Sequence, residues 1–129
     1  MQEQHISLTA AEWRVMECLW ELAPCTGREA ITWLQEKMGW SRSTTLTLLR
    51  RLTDKGAAAA DNDGELMTFR PLVQREEAAV QETAYFLDRV YQGSLSLMLS
   101  ALTKKQAISQ DELAELYAIL REMEGKSDA

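Results

Sequence analysis

The residues best suited to chemistry in this 129-residue chain lie in one run from Ser41 to Leu52. Its order, Ser41, Arg42, Ser43, Thr44, Thr45, Leu46, Thr47, Leu48, Leu49, Arg50, Arg51, Leu52, predicts a helix. Thr45, Leu48, Leu49 and Leu52 recur at i, i+3, i+4 and i+7 and make one apolar, core-seeking face. Ser43, Thr47 and Arg50 then point the opposite way, flanked by Thr44, Leu46 and Arg51. Small hydroxyls and guanidiniums on an exposed helical face suit base edges and phosphates in a DNA major groove. A solvated amphipathic helix without a ligand fits the same run equally well when it is read alone.

The elements before and after this run decide between those readings. Thr9-Ala-Ala-Glu12 is a capping box opening a helix over residues 9–22, with Trp13, Val15, Met16, Leu19 and Trp20 on its stripe. Pro24 ends it. Thr26-Gly-Arg-Glu29 is a second box opening a helix to Met38, with Ile31, Leu34 and Met38 on one face and Gly39 as its C′ residue. Ser41 caps the third helix, and Lys55-Gly56 stops it. The period then changes. Asp61-Asn62-Asp63-Gly64 is a turn cluster between strands expected at 57–61 and 65–70, although four successive alanines, 57–60, are poor strand formers. Helix, helix, helix, hairpin is the order of a winged helix-turn-helix, which favours the DNA reading.

Beyond Gln74 the pattern is helical again. Val80, Ala84, Leu87, Tyr91, Leu95, Met98 and Leu102 recur at spacings of 4, 3, 4, 4, 3 and 4, close to a heptad seam interrupted at Gly93. Ser109-Gln-Asp-Glu112 opens a last helix, whose Leu113, Leu116, Tyr117 and Leu120 share a face. The polar tail from Gly125 is expected to fray. The two seams serve either an intramolecular core or a second copy of the chain, and their length against so small a domain favours a homodimer. The expected fold is therefore mostly α (α+β): a winged helix-turn-helix domain over residues 1–72, then a two-helix dimerisation region over 73–129.

Charge sharpens the picture. The net charge is −6, yet residues 41–55 hold Arg42, Arg50, Arg51 and Lys55 against Asp54 alone. An acidic body with one basic helix disfavours indiscriminate nucleic-acid binding and leaves base contacts to choose the site. No apolar run is long enough to span a membrane, and Met1-Gln-Glu-Gln-His5 lacks the basic and apolar parts of a secretory signal, so a cytoplasmic location is expected. Cys18 and Cys25 make no disulfide framework and are read as reduced structural thiols. With His5 they lack the tight spacing of a metal site. No nucleophile elbow or phosphate-cradling glycine loop is present, so neither an enzyme nor a cofactor is expected. Trp13, Trp20, Trp33 and Trp40 could stack single-stranded bases, but three of them lie on core-facing stripes.

These motifs together resemble the penicillinase-repressor (BlaI/MecI/CopY) family of transcriptional regulators. The likeness rests on Ile6-Ser7, Glu12-Trp13-Arg14-Val15-Met16 and Leu19-Trp20. It continues in Trp40-Ser41, Thr44, Thr47-Leu48-Leu49, Arg51-Leu52 and Lys55-Gly56, then in Phe69, Pro71-Leu72, Phe86-Leu87 and Gly93-Ser94. It covers residues 6–124. The resemblance implies a homodimeric repressor on pseudo-palindromic operators, often with TACA/TGTA half-sites, guarding genes for antibiotic resistance or metal handling. In its β-lactam branch a regulatory protease cuts the dimerisation region; in its copper branch C-terminal cysteines bind metal.

The departures are informative. No cysteine follows Cys25, which removes the ligands for copper sensing at that position. Ala101-Leu102 stands where the protease-sensitive branch often has Asn-Phe. Thr45 replaces a usual Val and is expected to bond its hydroxyl back to the Ser41 carbonyl. Leu46 replaces a common Lys or Met, which turns one contact apolar, toward a thymine methyl.

On this reading Ser41 caps the third helix so that its amides face a phosphate. Ser43, Thr44 and Thr47 reach base edges, and Arg42 and Arg50 hold the backbone or a guanine. Arg51 either joins them or pairs with a carboxylate on another helix. Asn62 at the wing tip either touches DNA or simply makes the turn. The expected partners are a double-stranded operator, a second copy of the chain and, through the resemblance, a regulatory protease. The other functional class left open is a winged-helix protein-interaction module that does not read DNA, which the acidic net charge favours.

Overall fold

The computed structural model describes residues 6–62, 64–105 and 108–127. His5 and Asp63, named in the sequence reading, lie outside them. The chain divides into two compact units, Met1–Thr83 and Ala84–Ala129.

In the first unit, α1 (Ala10–Leu22), β1 (Cys25–Thr26), α2 (Gly27–Met38) and α3 (Arg42–Lys55) precede the hairpin of β2 (Ala58–Asn62) and β3 (Met67–Pro71). Both capping boxes form as the sequence dictates. Thr9 accepts from the Glu12 N–H and Glu12 answers at the Thr9 N–H; Thr26 and Glu29 do the same for α2. Ser41 caps α3 by accepting from the Thr44 N–H. Gly39 and Gly56 close α2 and α3 in the left-handed region at φ 69° and 83°, where a Cβ would be strained.

The sheet is antiparallel, ordered β1-β3-β2. Its third strand is a finding beyond the sequence reading, which expects only the two-stranded hairpin. Cys25 and Thr26 pair with Phe69 and Thr68. The hairpin strands run one or two residues later than expected because Asp61 and Asn62 keep pairing, opposite Thr68 and Met67. Pro71 ends β3 where β1 no longer reaches it, so its missing N–H leaves no gap in the ladder. Ala57 and Ala58 are buried, and their small side chains bring the strand entrance against the core; burial overrides their poor strand propensity.

That core joins Val15, Met16 and Leu19 of α1, Leu34 of α2, Leu48, Leu49 and Leu52 of α3, and Phe69 of β3. Trp20, Trp33 and Trp40 pack on its edge. The Trp20 indole N–H donates to the Val73 carbonyl at 2.9 Å and that of Trp33 to Glu21 at 2.9 Å. These rings thus serve packing, as the stripes suggest.

The helical remainder differs from the expected pair of helices. It is three: α4 (Arg75–Tyr91), α5 (Leu95–Lys104) and α6 (Gln110–Ser127). The chain breaks at Gln92 and Gly93, both at positive φ (50° and 80°), and Ser94 caps α5 by accepting from the Leu97 N–H at 3.0 Å. The division between the two units falls within α4. α6 also continues through Gly125 to Ser127, where the sequence reading expected fraying.

Candidate nucleic-acid interface

The two faces of α3 separate as its spacing predicts. Thr45, Leu48, Leu49 and Leu52 are buried. Ser41, Arg42, Ser43, Thr44, Thr47, Arg50 and Arg51 are all exposed, and Leu46 keeps 38% of its surface in water. At 100° per residue, Ser43, Thr47 and Arg50 lie within one narrow stripe opposite the core. The hydroxyls at the N-terminus are linked: Ser41 Oγ donates to Thr44 Oγ1 at 3.1 Å and lies 3.3 Å from Ser43 Oγ. Arg51 has no ion-pair partner among the described residues, so its guanidinium stands with the others on the exposed side.

One expectation for this helix fails. The Thr45 hydroxyl has no hydrogen-bond partner among the described residues; the Ser41 carbonyl accepts only from the Thr45 backbone N–H, at 3.2 Å.

A buried carboxylate locks α3 to α1. Glu12, 1% exposed, accepts from Lys55 Nζ at 2.6 Å as well as from the Thr9 N–H at 2.8 Å, and Lys55 Nζ also donates to the Ser7 carbonyl at 2.7 Å. Burial on its own would raise the Glu12 pKa. The Lys55 ammonium and the Thr9 bonds outweigh it and hold the carboxyl below its ordinary value. The sequence alone marks Glu12 as a cap and Lys55 as a helix stop and a basic residue of α3, but not the two as partners. Their long-range pairing leaves no local signal.

The wing adds Asn62, exposed at the end of β2 and opposite Met67. Arg70 and Asp61 pair across the hairpin at 2.8 Å, which occupies one wing aspartate. Leu66 and Met67 line a groove of about 450 Å³ with Ile31 and Leu46, and Arg28 and Arg42 supply its guanidiniums. Arg28 was legible as the second residue of α2, but it sits on no periodic stripe and the sequence reading passed over it.

Cys18 and Cys25 are buried free thiols. A hydrogen bond to Cys25, and then burial, push the Cys18 thiol far up, so it stays protonated.

The residues expected at a dimer interface are distributed over the three C-terminal helices: Val80, Ala84, Leu87 and Tyr91 on α4, Leu95, Met98 and Leu102 on α5, and Leu113, Leu116, Tyr117 and Leu120 on α6. The single seam through Leu102 is therefore corrected to two helices, because the positive-φ pair at 92–93 cannot continue an α-helix. None of these residues is buried. From Ala84 to Lys126 no described residue is buried at all, and Tyr85, Phe86, Val90, Leu97, Ile119 and Met123 add to the exposed apolar surface. Ala101 and Leu102 sit within α5.

This arrangement, three helices with a three-stranded sheet and an exposed hydroxyl and guanidinium face on the third, defines a winged-helix DNA-binding protein. The penicillinase repressor family model matches residues 8–122, and the chain belongs to that family. A methicillin resistance regulatory protein MecI from Mammaliicoccus sciuri is 28% identical over 120 residues, 93% of this chain and 98% of its own length. The penicillinase repressor of Bacillus licheniformis is 30% identical over 115 residues, 89% of this chain and 90% of its own. The solution structure of the B. licheniformis BlaI monomeric form in complex with the blaP half-operator superposes with a TM-score of 0.52 at 27% identity, over 57% of this chain and 90% of that one.

Proposed function

We propose that this protein, a DNA-binding transcriptional repressor, acts in the cytoplasm as a homodimer on a pseudo-palindromic operator. The observation that carries the DNA reading is the outer face of α3. It presents Ser43, Thr47 and Arg50 outward while four buried side chains fix its rotation. Thr44 and Thr47 then reach base edges, Ser43 with them, and Arg42, Arg50 and Arg51 hold phosphates or a guanine. Leu46 offers a methyl-lined contact to thymine. Ser41 caps the helix so that its first amides face the backbone. The half-operator bound by the BlaI structure supports one half-site per winged-helix domain.

Homodimerisation is supported by the second unit, where no described residue from Ala84 to Lys126 is buried in one chain. So much apolar surface is more than a soluble monomer ordinarily leaves in water. A two-fold pair would set two α3 helices about one turn of DNA apart, or a multiple of it. A regulatory protease acting at Ala101–Leu102 would first have to unwind α5.

The test is binding to the DNA upstream of the protein's own gene, against a scrambled duplex, with Arg50→Ala as the control. Preference for the upstream duplex, weakened by the substitution, is the expected result. Equal binding to both duplexes would sink the reading and favour the protein-interaction module. Sedimentation equilibrium without DNA tests the dimer; a monomer at high concentration would overturn it.

A further inference from the structure

Resting on the DNA reading above, we infer that Arg28 clamps a backbone phosphate of the operator strand and makes the first turn of α2 a second anchor beside α3. One groove is lined by Arg28 and Ile31 of α2, Arg42 and Leu46 of α3, and Leu66 and Met67 of the wing. The helices are in close contact here. A Cβ built on Gly27 would lie 4.0 Å from Leu46 Cδ2 and 3.8 Å from Phe69 Cε2. Anything that touches Leu46 on the reading helix therefore passes the first turn of α2.

Charge identifies the occupant. Neither the Arg28 nor the Arg42 guanidinium has an ion-pair partner among the described residues. Glu29, the neighbouring acid, is engaged by the Thr26 N–H at 2.8 Å and its hydroxyl at 3.2 Å. Among the described residues no carboxylate lines this groove, whereas other grooves hold Glu17 with Glu82, Glu17 with Glu21, or Glu76 with Glu77. In a chain of net charge −6, two unpaired guanidiniums without an acid mark a surface that favours an anion. The groove is continuous with the reading face through Arg42 and Leu46, so a DNA strand lying on α3 offers its phosphate to Arg28. Guanidinium forks suit that group, and the apolar wall suits the deoxyribose beside it.

The experiment measures affinity for the upstream and scrambled duplexes across a salt series, for the wild type, Arg28→Ala, Arg28→Lys and Thr47→Ala. One phosphate contact contributes about 0.9 to the slope of log K against log salt, so between about 50 and 200 mM salt the advantage of wild type over Arg28→Ala should shrink roughly threefold per arginine removed. The loss should be equal on both duplexes, and Arg28→Lys should restore most of the slope. An unchanged slope in Arg28→Ala, or a loss confined to one duplex, overturns the assignment. Thr47→Ala keeps the two readings apart. If it alone relaxes preference for the upstream duplex while Arg28→Ala does nothing, the α3 reading stands and the clamp falls. If the wild type shows no preference, the α3 reading falls by itself.

Discussion

Thr45→Val should make this protein more stable, which is the reverse of most core substitutions. Thr45 is fully buried in α3 and its hydroxyl has no partner among the described residues. A buried hydroxyl left unpaired costs about 1–3 kcal/mol. Valine keeps the branched shape, so the χ1 restriction cancels, and the two residues have nearly the same helix propensity. What remains is the desolvation penalty, so the gain should be about 1–3 kcal/mol. For a domain of this size that raises the melting temperature by about 4–8 °C per kcal/mol. Urea titration at fixed protein concentration checks it: the midpoint should rise with an unchanged m-value. DNA affinity should stay the same, because the side chain faces the core. A midpoint that is unchanged or lower would show that the hydroxyl is bonded in the folded protein, and the argument from an orphaned polar atom would collapse.

Three further outcomes follow from the same geometry. Thr47→Ala should cost about 1–3 kcal/mol of discrimination at one base pair; competition binding with single-base operator variants measures it, and a loss of the same size on scrambled DNA counts against a base contact. Glu12→Gln should destabilise by about 1–2 kcal/mol, since water reaching the partly exposed Lys55 screens the pair. The Glu12 carboxyl is held below its ordinary value in the folded state, so its stabilisation is present above the unfolded pKa and is lost as pH falls through the lower folded one; urea midpoints followed from neutral to acid pH should show a shallower acid limb in the variant, and parallel curves would refute it. Leu95→Glu and Leu120→Glu, at sites about half exposed in one chain, should each weaken self-association at least about tenfold, or about 1.4 kcal/mol, if a partner covers them; unchanged sedimentation would place the interface elsewhere.

The features legible in the sequence were those with a local cause. Capping boxes at Thr9 and Thr26 name their own helix starts, because the reciprocal bonds span only three residues. The faces of α3 were legible because a period of 3.6 rotates Thr45, Leu48, Leu49 and Leu52 to one side. The features that escaped have distant or very short causes. β1 is two residues long, too brief for alternation, and exists because Phe69 and Thr68 lie beside it. The helix break at 92–93 was marked by Gly93, and only the positive φ of Gln92 beside it has no local signal. Glu12 and Lys55 are 43 residues apart, and only the packing of α1 on α3 brings them together. Arg28 joins the site through the groove, with no stripe to announce it.

The contrast between the two units bears on how such a repressor could be switched. The first unit has its own core, so it can fold and present α3 without help. The second has no buried described residue, so its order depends on what covers it. If that cover is a second copy, joining two half-site readers makes the second docking intramolecular and raises avidity by about 10²–10⁴ without a new DNA contact. The DNA-reading residues would then set which site is chosen, and the C-terminal helices would set whether it is held. Loosening α4–α6 should release the operator while leaving α3 intact. Variants such as Leu95→Glu should accordingly keep their half-site preference on short duplexes and lose affinity mainly on the full palindrome. Equal losses on half-site and full-site DNA would mean that the C-terminal helices support the reading domain itself rather than pairing it.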